Sequence, residues 1–269
     1  MSYGIRRAAA LALMIGLVLT AGACGGGKAT KKSEPQLDLA TRVGNLVREA
    51  QSLVNAGRLP DALTVLDKAT EIDPQNASVY SYYGQVALIA GRHGEAEEAL
   101  GKALEADPYL TDAYNTLGLV HHEQGNNDQA IEAFQKALAD RAYPTPEKVY
   151  LNLGIVYSSQ GRAQEAVDAF RKAVEIDPKY YDAHYELASV LDRTNRLEEA
   201  AREYEVARPG YSEGQKAAAM RAEYHLRFGT ALLRLSRQSQ AREELRRVCD
   251  IAPGSPACAQ SDTLIEGLH

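Results

Sequence analysis

The chain has 269 residues, with 30 basic and 36 acidic side chains and a formal net charge of −6. Tyrosine supplies 15 of its aromatic residues, against 3 phenylalanines and no tryptophan. This length fits one large domain or an extended repeat array, and the acidic balance argues against nucleic acid, whose phosphates call for a basic surface.

Residues 1–23 read as an address and not as fold. Arg6 and Arg7 precede an uncharged apolar run over residues 8–20, which has the length of a signal h-region and is too short to span a membrane comfortably. Ala21, Gly22 and Ala23 follow, and then Cys24. This order resembles a bacterial lipobox, with Ala21 standing where leucine is usual. The resemblance implies a signal peptide over 1–23 and a lipidated Cys24 as the mature N-terminus; cleavage before an unmodified Cys24 is the alternative. Residues 24–38 open with Gly25, Gly26 and Gly27, carry no apolar period and are expected to form a flexible tether. Gly25 after the cysteine, where aspartate would retain a lipoprotein at the inner membrane, resembles the outer-membrane class, anchored by lipid and facing the periplasm.

From residue 39 the chain repeats itself at a period of about 34 residues. The clearest copy covers residues 147–178. It places Tyr150, Leu153, Gly154 and Tyr157 on one helical face, then Gly161, then Ala166, Phe170 and Ala173, with Pro178 at the end. The same order recurs in Tyr80, Tyr83, Gly84, Ala87, Gly91, Ala96, Leu100, Ala103 and Pro108. It recurs again in Tyr114, Leu117, Gly118, His121, Gly125, Ala130, Phe134 and Ala137. Weaker copies begin near Val43, at Tyr181 and near Ala222. Apolar residues at i, i+3, i+4 and i+7 make each half-repeat an amphipathic helix. Gly84, Gly118 and Gly154 are expected to face Ala96, Ala130 and Ala166 across the helix pair. The glycine between the helices ends the first, and proline stops the second.

Period and motif resemble the tetratricopeptide repeat (TPR) family. The resemblance implies an all-α, right-handed superhelical solenoid of about six helix-turn-helix repeats over residues 39–254. Two repeat intervals are longer than the rest; their surplus falls at residues 143–146 and 209–215, which read as exposed loops. Residues 255–269, with Leu264, Ile265 and Leu268 at helical spacing, are expected to cap the last repeat. Cys249 and Cys258, separated by Pro253, Gly254 and Pro256, are expected to form a disulfide that pins the cap, the alternative being two inert thiols.

In the TPR family the first helix of each repeat lines a binding groove. Carried over, its contact positions are Ser81, Gln85 and Leu88, then Asn115, Leu119 and His122, then Leu151, Ile155 and Ser158, then Tyr185, Ser189 and Asp192. Leu119, Leu151, Ile155 and Tyr185 form either a docking patch for a partner segment or packing within the superhelix. The groove lacks the basic carboxylate clamp of chaperone-tail-binding relatives.

The sequence offers no metal site, no cofactor site and no catalytic constellation. His121, His122 and Glu123 fail the two-histidine zinc spacing because Asn126 stands where the second histidine belongs. Acid pairs such as Glu97–Glu98 and Glu198–Glu199 read as solvated faces, and Asn76 reads as a helix cap. A repeat array behind a lipobox resembles the type IV pilus pilotins, lipoproteins that escort secretin subunits to the outer membrane. That resemblance implies a non-enzymatic protein-binding scaffold whose partner is a secretin subunit. A general periplasmic adaptor recruiting a peptidoglycan hydrolase or protease is the alternative.

Overall fold

The computed structural model describes residues 34–140, 143–212 and 216–268, and these divide between two compact units, one ending at residue 140 and the other beginning at residue 143. The signal segment, Cys24 and the start of the tether lie outside the described residues. In the first unit, α1 (Glu34–Asn55) pairs with α2 (Leu59–Ile72), α3 (Ala77–Ile89) with α4 (His93–Ala106), and α5 (Thr111–Glu123) with α6 (Asn127–Ala139). In the second, α7 (Pro146–Ser159) pairs with α8 (Ala163–Ile176) and α9 (Tyr181–Arg193) with α10 (Leu197–Ala207). A short α11 (Pro209–Ser212) then leads to the pair α12 (Ala218–Arg234) and α13 (Gln238–Ile251), and α14 (Pro256–Glu266) follows. Each unit is thus a stack of three helix hairpins.

One backbone device closes all six hairpins. Gly57, Gly91, Gly125 and Gly161 adopt φ between 71° and 81°, and Asn195 and Ser236 take the same turn at 61° and 60°. In the first hairpin the Gly57 N–H reaches the Val54 carbonyl at 2.9 Å and the Arg58 N–H reaches that of Leu53 at 2.9 Å. This double closure satisfies carbonyls that the ending helix leaves open. It recurs through Ser236 to Leu233 at 2.8 Å and Arg237 to Leu232 at 2.9 Å in the last hairpin. Three second helices, α2, α4 and α8, stop on an aspartate that directly precedes proline. Asp107 and Asp177 accept from the N–H two residues on, at 3.0 and 2.9 Å, which turns the chain toward the next repeat.

Inside the hairpins, glycine admits a large neighbour. A methyl group at Gly84 would stand 2.5 Å from Leu100, and one at Gly118 or Gly154 would stand 2.5 Å from the Phe134 or Phe170 ring. The side chain that fills each gap is therefore not the alanine the sequence suggests but the residue one turn further along. Ala96, Ala130 and Ala166 are fully buried beside it. Leu63, Leu66, Leu100 and Phe134 anchor the first core; Phe170, Leu187, Tyr204, Tyr224 and Leu232 anchor the second.

Three boundaries differ from the sequence reading. Helix α1 starts at Glu34, inside the stretch read as tether, with Pro35 in a first turn where no N–H partner is lost. Tyr143 is buried. The expected loop at 209–215 opens as α11, and Tyr211 within it is only 2 % exposed. Its ring stacks on Tyr224 at 4.9 Å and its hydroxyl donates to Asp182 at 2.7 Å. Burial of one large ring outweighs the loop tendency of its Pro-Gly flank.

At the C-terminal end, Ser255 caps α14 by accepting from the Cys258 N–H at 3.1 Å. A disulfide joins Cys249 to Cys258, with an S–S distance of 2.07 Å. Leu264 and Ile265 rest on Ala222, Leu226, Leu245 and Val248.

Candidate functional site

The first helices α3 and α5 of one unit and α7 and α9 of the other carry the contact positions expected from the sequence. In the first unit Ser81 and Leu88 are buried at 5 % and 6 %, whereas Gln85, Asn115, Leu119 and His122 are half-buried. Leu119 packs against the core of its unit, and the His122 Nδ1 bonds the Asn127 side chain at 2.8 Å. What this face leaves to a partner is chiefly amide and imidazole. His121 is buried at 7 % exposure and belongs to the interior.

The second unit presents a different face. Leu151, Ile155 and Tyr185 are half-buried and rest on its core, while Ser189 is buried. These apolar side chains therefore do both things: their inner sides pack and their outer sides remain open. Tyr185 also contacts the ring of Tyr211, with centroids 5.0 Å apart.

Three arginines that sequence reasoning passed over complete this face. Arg193 on α9 donates to the Ser158 hydroxyl on α7 at 2.5 Å. One repeat later, Arg234 on α12 pairs with Asp192 on α9 and donates to the Asn195 side chain at 2.9 Å. The same position of successive first helices thus staples each helix to the one before. Arg227 pairs with Glu223 at 2.7 Å. Burial raises the Asp192 carboxyl above its usual range, against the lowering pull of Arg234, Arg227 and Arg193. The signal was present in the sequence as arginine directly before the hairpin turn in repeats five and six, at Arg193 and Arg234.

A second missed feature is a pair of histidine–carboxylate contacts, one partly buried and one buried. His184 bonds Glu203 at 2.6 Å and His225 bonds Glu244 at 2.7 Å. Glu244 is 2 % exposed and also pairs with Arg208 at 2.8 Å. Its burial would raise the carboxyl, but the His225 hydrogen bond and the charges of Arg208 and Arg247 outweigh that, and it titrates below its usual range. In repeats two to four the matching residues are tyrosine and alanine: Tyr80 with Ala99, Tyr114 with Ala133, Tyr150 with Ala169. Both contacts are hairpin-internal and do not open onto the binding face.

Among the described residues, one group could offer three metal ligands, namely Cys249, Cys258 and Asp262. Both of its sulfurs are spent in the disulfide, so it has no thiolates to give. Among these residues no helix is long and apolar enough to cross a membrane.

Family models described as tetratricopeptide repeat match residues 109–179 in one form, and 47–111, 151–214 and 200–256 in another. The chain belongs to the tetratricopeptide repeat family. As a TPR protein it is a scaffold for binding other proteins, built from hairpins that share one turn and one mode of packing. No curated protein sequence matches it. Among solved structures it is similar to PilF of Pseudomonas aeruginosa, at 21 % identity and a TM-score of 0.73, over 84 % of this chain and 99 % of that one. It is also similar to PilW, described as a widely conserved type IV pilus biogenesis factor. There the identity is 20 % and the TM-score 0.72, over 81 % of this chain and 97 % of that one. A third TPR structure, YrrB, described as having an unusual peptide-binding site, matches at 21 % identity and a TM-score of 0.56. That match covers 74 % of this chain and 97 % of the other. Identities this low establish a shared fold.

Proposed function

We propose that this TPR protein is a pilotin: an outer-membrane lipoprotein, held by Cys24 and facing the periplasm, that binds a secretin subunit of the type IV pilus and promotes its assembly. The observation that carries the reading is the extent of the structural match, which takes in 99 % of PilF and 97 % of PilW and includes repeats that the family models mark on this chain. The lipobox-like order ending in Cys24 supports the anchor.

The mechanism is physical. A lipid anchor confines the scaffold to one membrane surface and raises the effective concentration of any partner held there. The open sides of Leu151, Ile155 and Tyr185 cover an apolar or strand-edge segment of the subunit until assembly buries it. The staples from Arg193 and Arg234 keep the three first helices of that unit in register while the segment is held. This reading assigns the chain no reaction, cofactor or metal.

Replacing both Leu151 and Ile155 with glutamate puts charge where the partner's apolar side chains must lie. Capture of purified secretin subunit by the double variant should fall at least about tenfold with helicity unchanged. Undiminished capture would remove this face from the proposal, and failure of the wild-type chain to capture the subunit at all would remove the secretin. In the latter case an adaptor for a peptidoglycan hydrolase or protease becomes the reading to test.

A further inference from the structure

The last hairpin of the second unit ends in an apolar face that α14 covers in place of another repeat. That cover is thin. Of the 11 residues of α14 only Cys258 and Ser261 are buried, and Leu264 and Ile265 are half-exposed against Ala222, Leu226, Leu245 and Val248. Two hydrogen bonds add to the contact: Ser261 to the Leu245 carbonyl at 2.6 Å, and Arg242 to that of Leu268 at 3.0 Å. So little buried apolar area contributes little beyond the entropy of ordering the helix. The covalent link carries the rest, because it ties the last turn of α13 to the first turn of α14.

We propose that the Cys249–Cys258 disulfide is a redox latch, whose reduction releases α14 and uncovers the stacking face formed by Leu226, Leu245 and Val248. The reductant is a dithiol. Its thiolate attacks the Cys249 sulfur, which is half-exposed, whereas Cys258 is 9 % exposed. The S–S bond breaks, the electron pair leaves with the Cys258 sulfur, and that sulfur takes up a proton. The second thiol of the reductant then displaces Cys249 from the mixed disulfide. Two protein thiols and an oxidised dithiol remain. Cys258 lies in the first turn of α14, where the positive end of the helix dipole favours a departing thiolate; the Asp262 carboxylate, 3.8 Å from its sulfur, opposes this and slows the step. Once cut, the chain from Ala252 onward is held by noncovalent contacts alone.

Hydrogen exchange read by mass spectrometry on the full chain, with and without dithiothreitol, tests the latch. Alkylation at Cys249 and Cys258 confirms the reduction, and a Cys249→Ser/Cys258→Ser variant repeats the comparison without reductant. Exchange across residues 258–266 should quicken by about fiftyfold while α12 and α13 keep their protection. Unchanged exchange in α14 would show a cap held by packing, and loss of protection across α12 and α13 as well would show a bond that holds the whole repeat; either overturns the proposal.

Discussion

A methyl group placed on Gly118 or Gly154 would intrude on a phenylalanine ring that has nowhere to go, since Phe134 and Phe170 are both fully buried. Gly154→Val should therefore destabilise the second unit by about 2–3 kcal/mol, measured by urea unfolding. Gly101 in α4 is the control. Nothing lies within 4 Å of its would-be Cβ, so Gly101→Ala should stabilise by about 0.5–1 kcal/mol in the same assay. Glu244 carries a different kind of constraint. Its folded carboxyl titrates below its unfolded value, so its contribution is complete above about pH 4.5 and is lost as the pH falls through the folded value. Glu244→Gln should cost about 3 kcal/mol at pH 7, and the gap to wild type should narrow progressively as the pH falls below the unfolded value. A gap that stays constant from pH 7 to pH 3 would show that the charge of Glu244 contributes nothing.

At the scale of the helix hairpin, periodicity made the architecture legible because every repeat must meet the same demands: a left-handed turn, a small residue, a proline stop. What periodicity concealed was the identity of the partners. Ala96 and Leu100 both suit a residue opposite Gly84 by spacing alone, and only packing shows that Leu100 fills the gap. The histidine–carboxylate contacts were hidden likewise, since His184 and Glu203 lie on different helices and 19 residues apart. Side by side, the repeats reveal that histidine and glutamate replace tyrosine and alanine together. This has a measurable consequence. Glu203→Ala alone should destabilise by about 1–2 kcal/mol, because the buried His184 ring loses its Nδ1 partner and keeps only the Pro178 carbonyl at Nε2. The double change His184→Tyr/Glu203→Ala restores the pairing found in repeats two to four and should recover most of that loss; strict additivity of the two single changes would show them to be uncoupled. Pro and Gly at 209 and 210 misled because the flanking composition suits a loop, while Tyr211 finds a ring to stack on.

For the molecule as a whole, two groups of three hairpins offer unlike faces, one of amides and imidazole, the other of Leu151, Ile155 and Tyr185 with arginine staples beside them. The contact positions were readable from the family pattern, but their accessibility was not, because it depends on how far neighbouring helices cover each side chain. Ser81, Leu88 and Ser189 are covered, and they leave a partner less than the pattern implies. The central claim is that this scaffold brings a secretin to its membrane and promotes its assembly. An immunoblot of outer-membrane fractions from a deletion strain, comparing secretin multimer with monomer, tests it most directly. The account predicts that multimer is lost, that the wild-type gene restores it, and that a Cys24→Ala form restores it poorly. Normal multimer in the deletion strain would contradict the account.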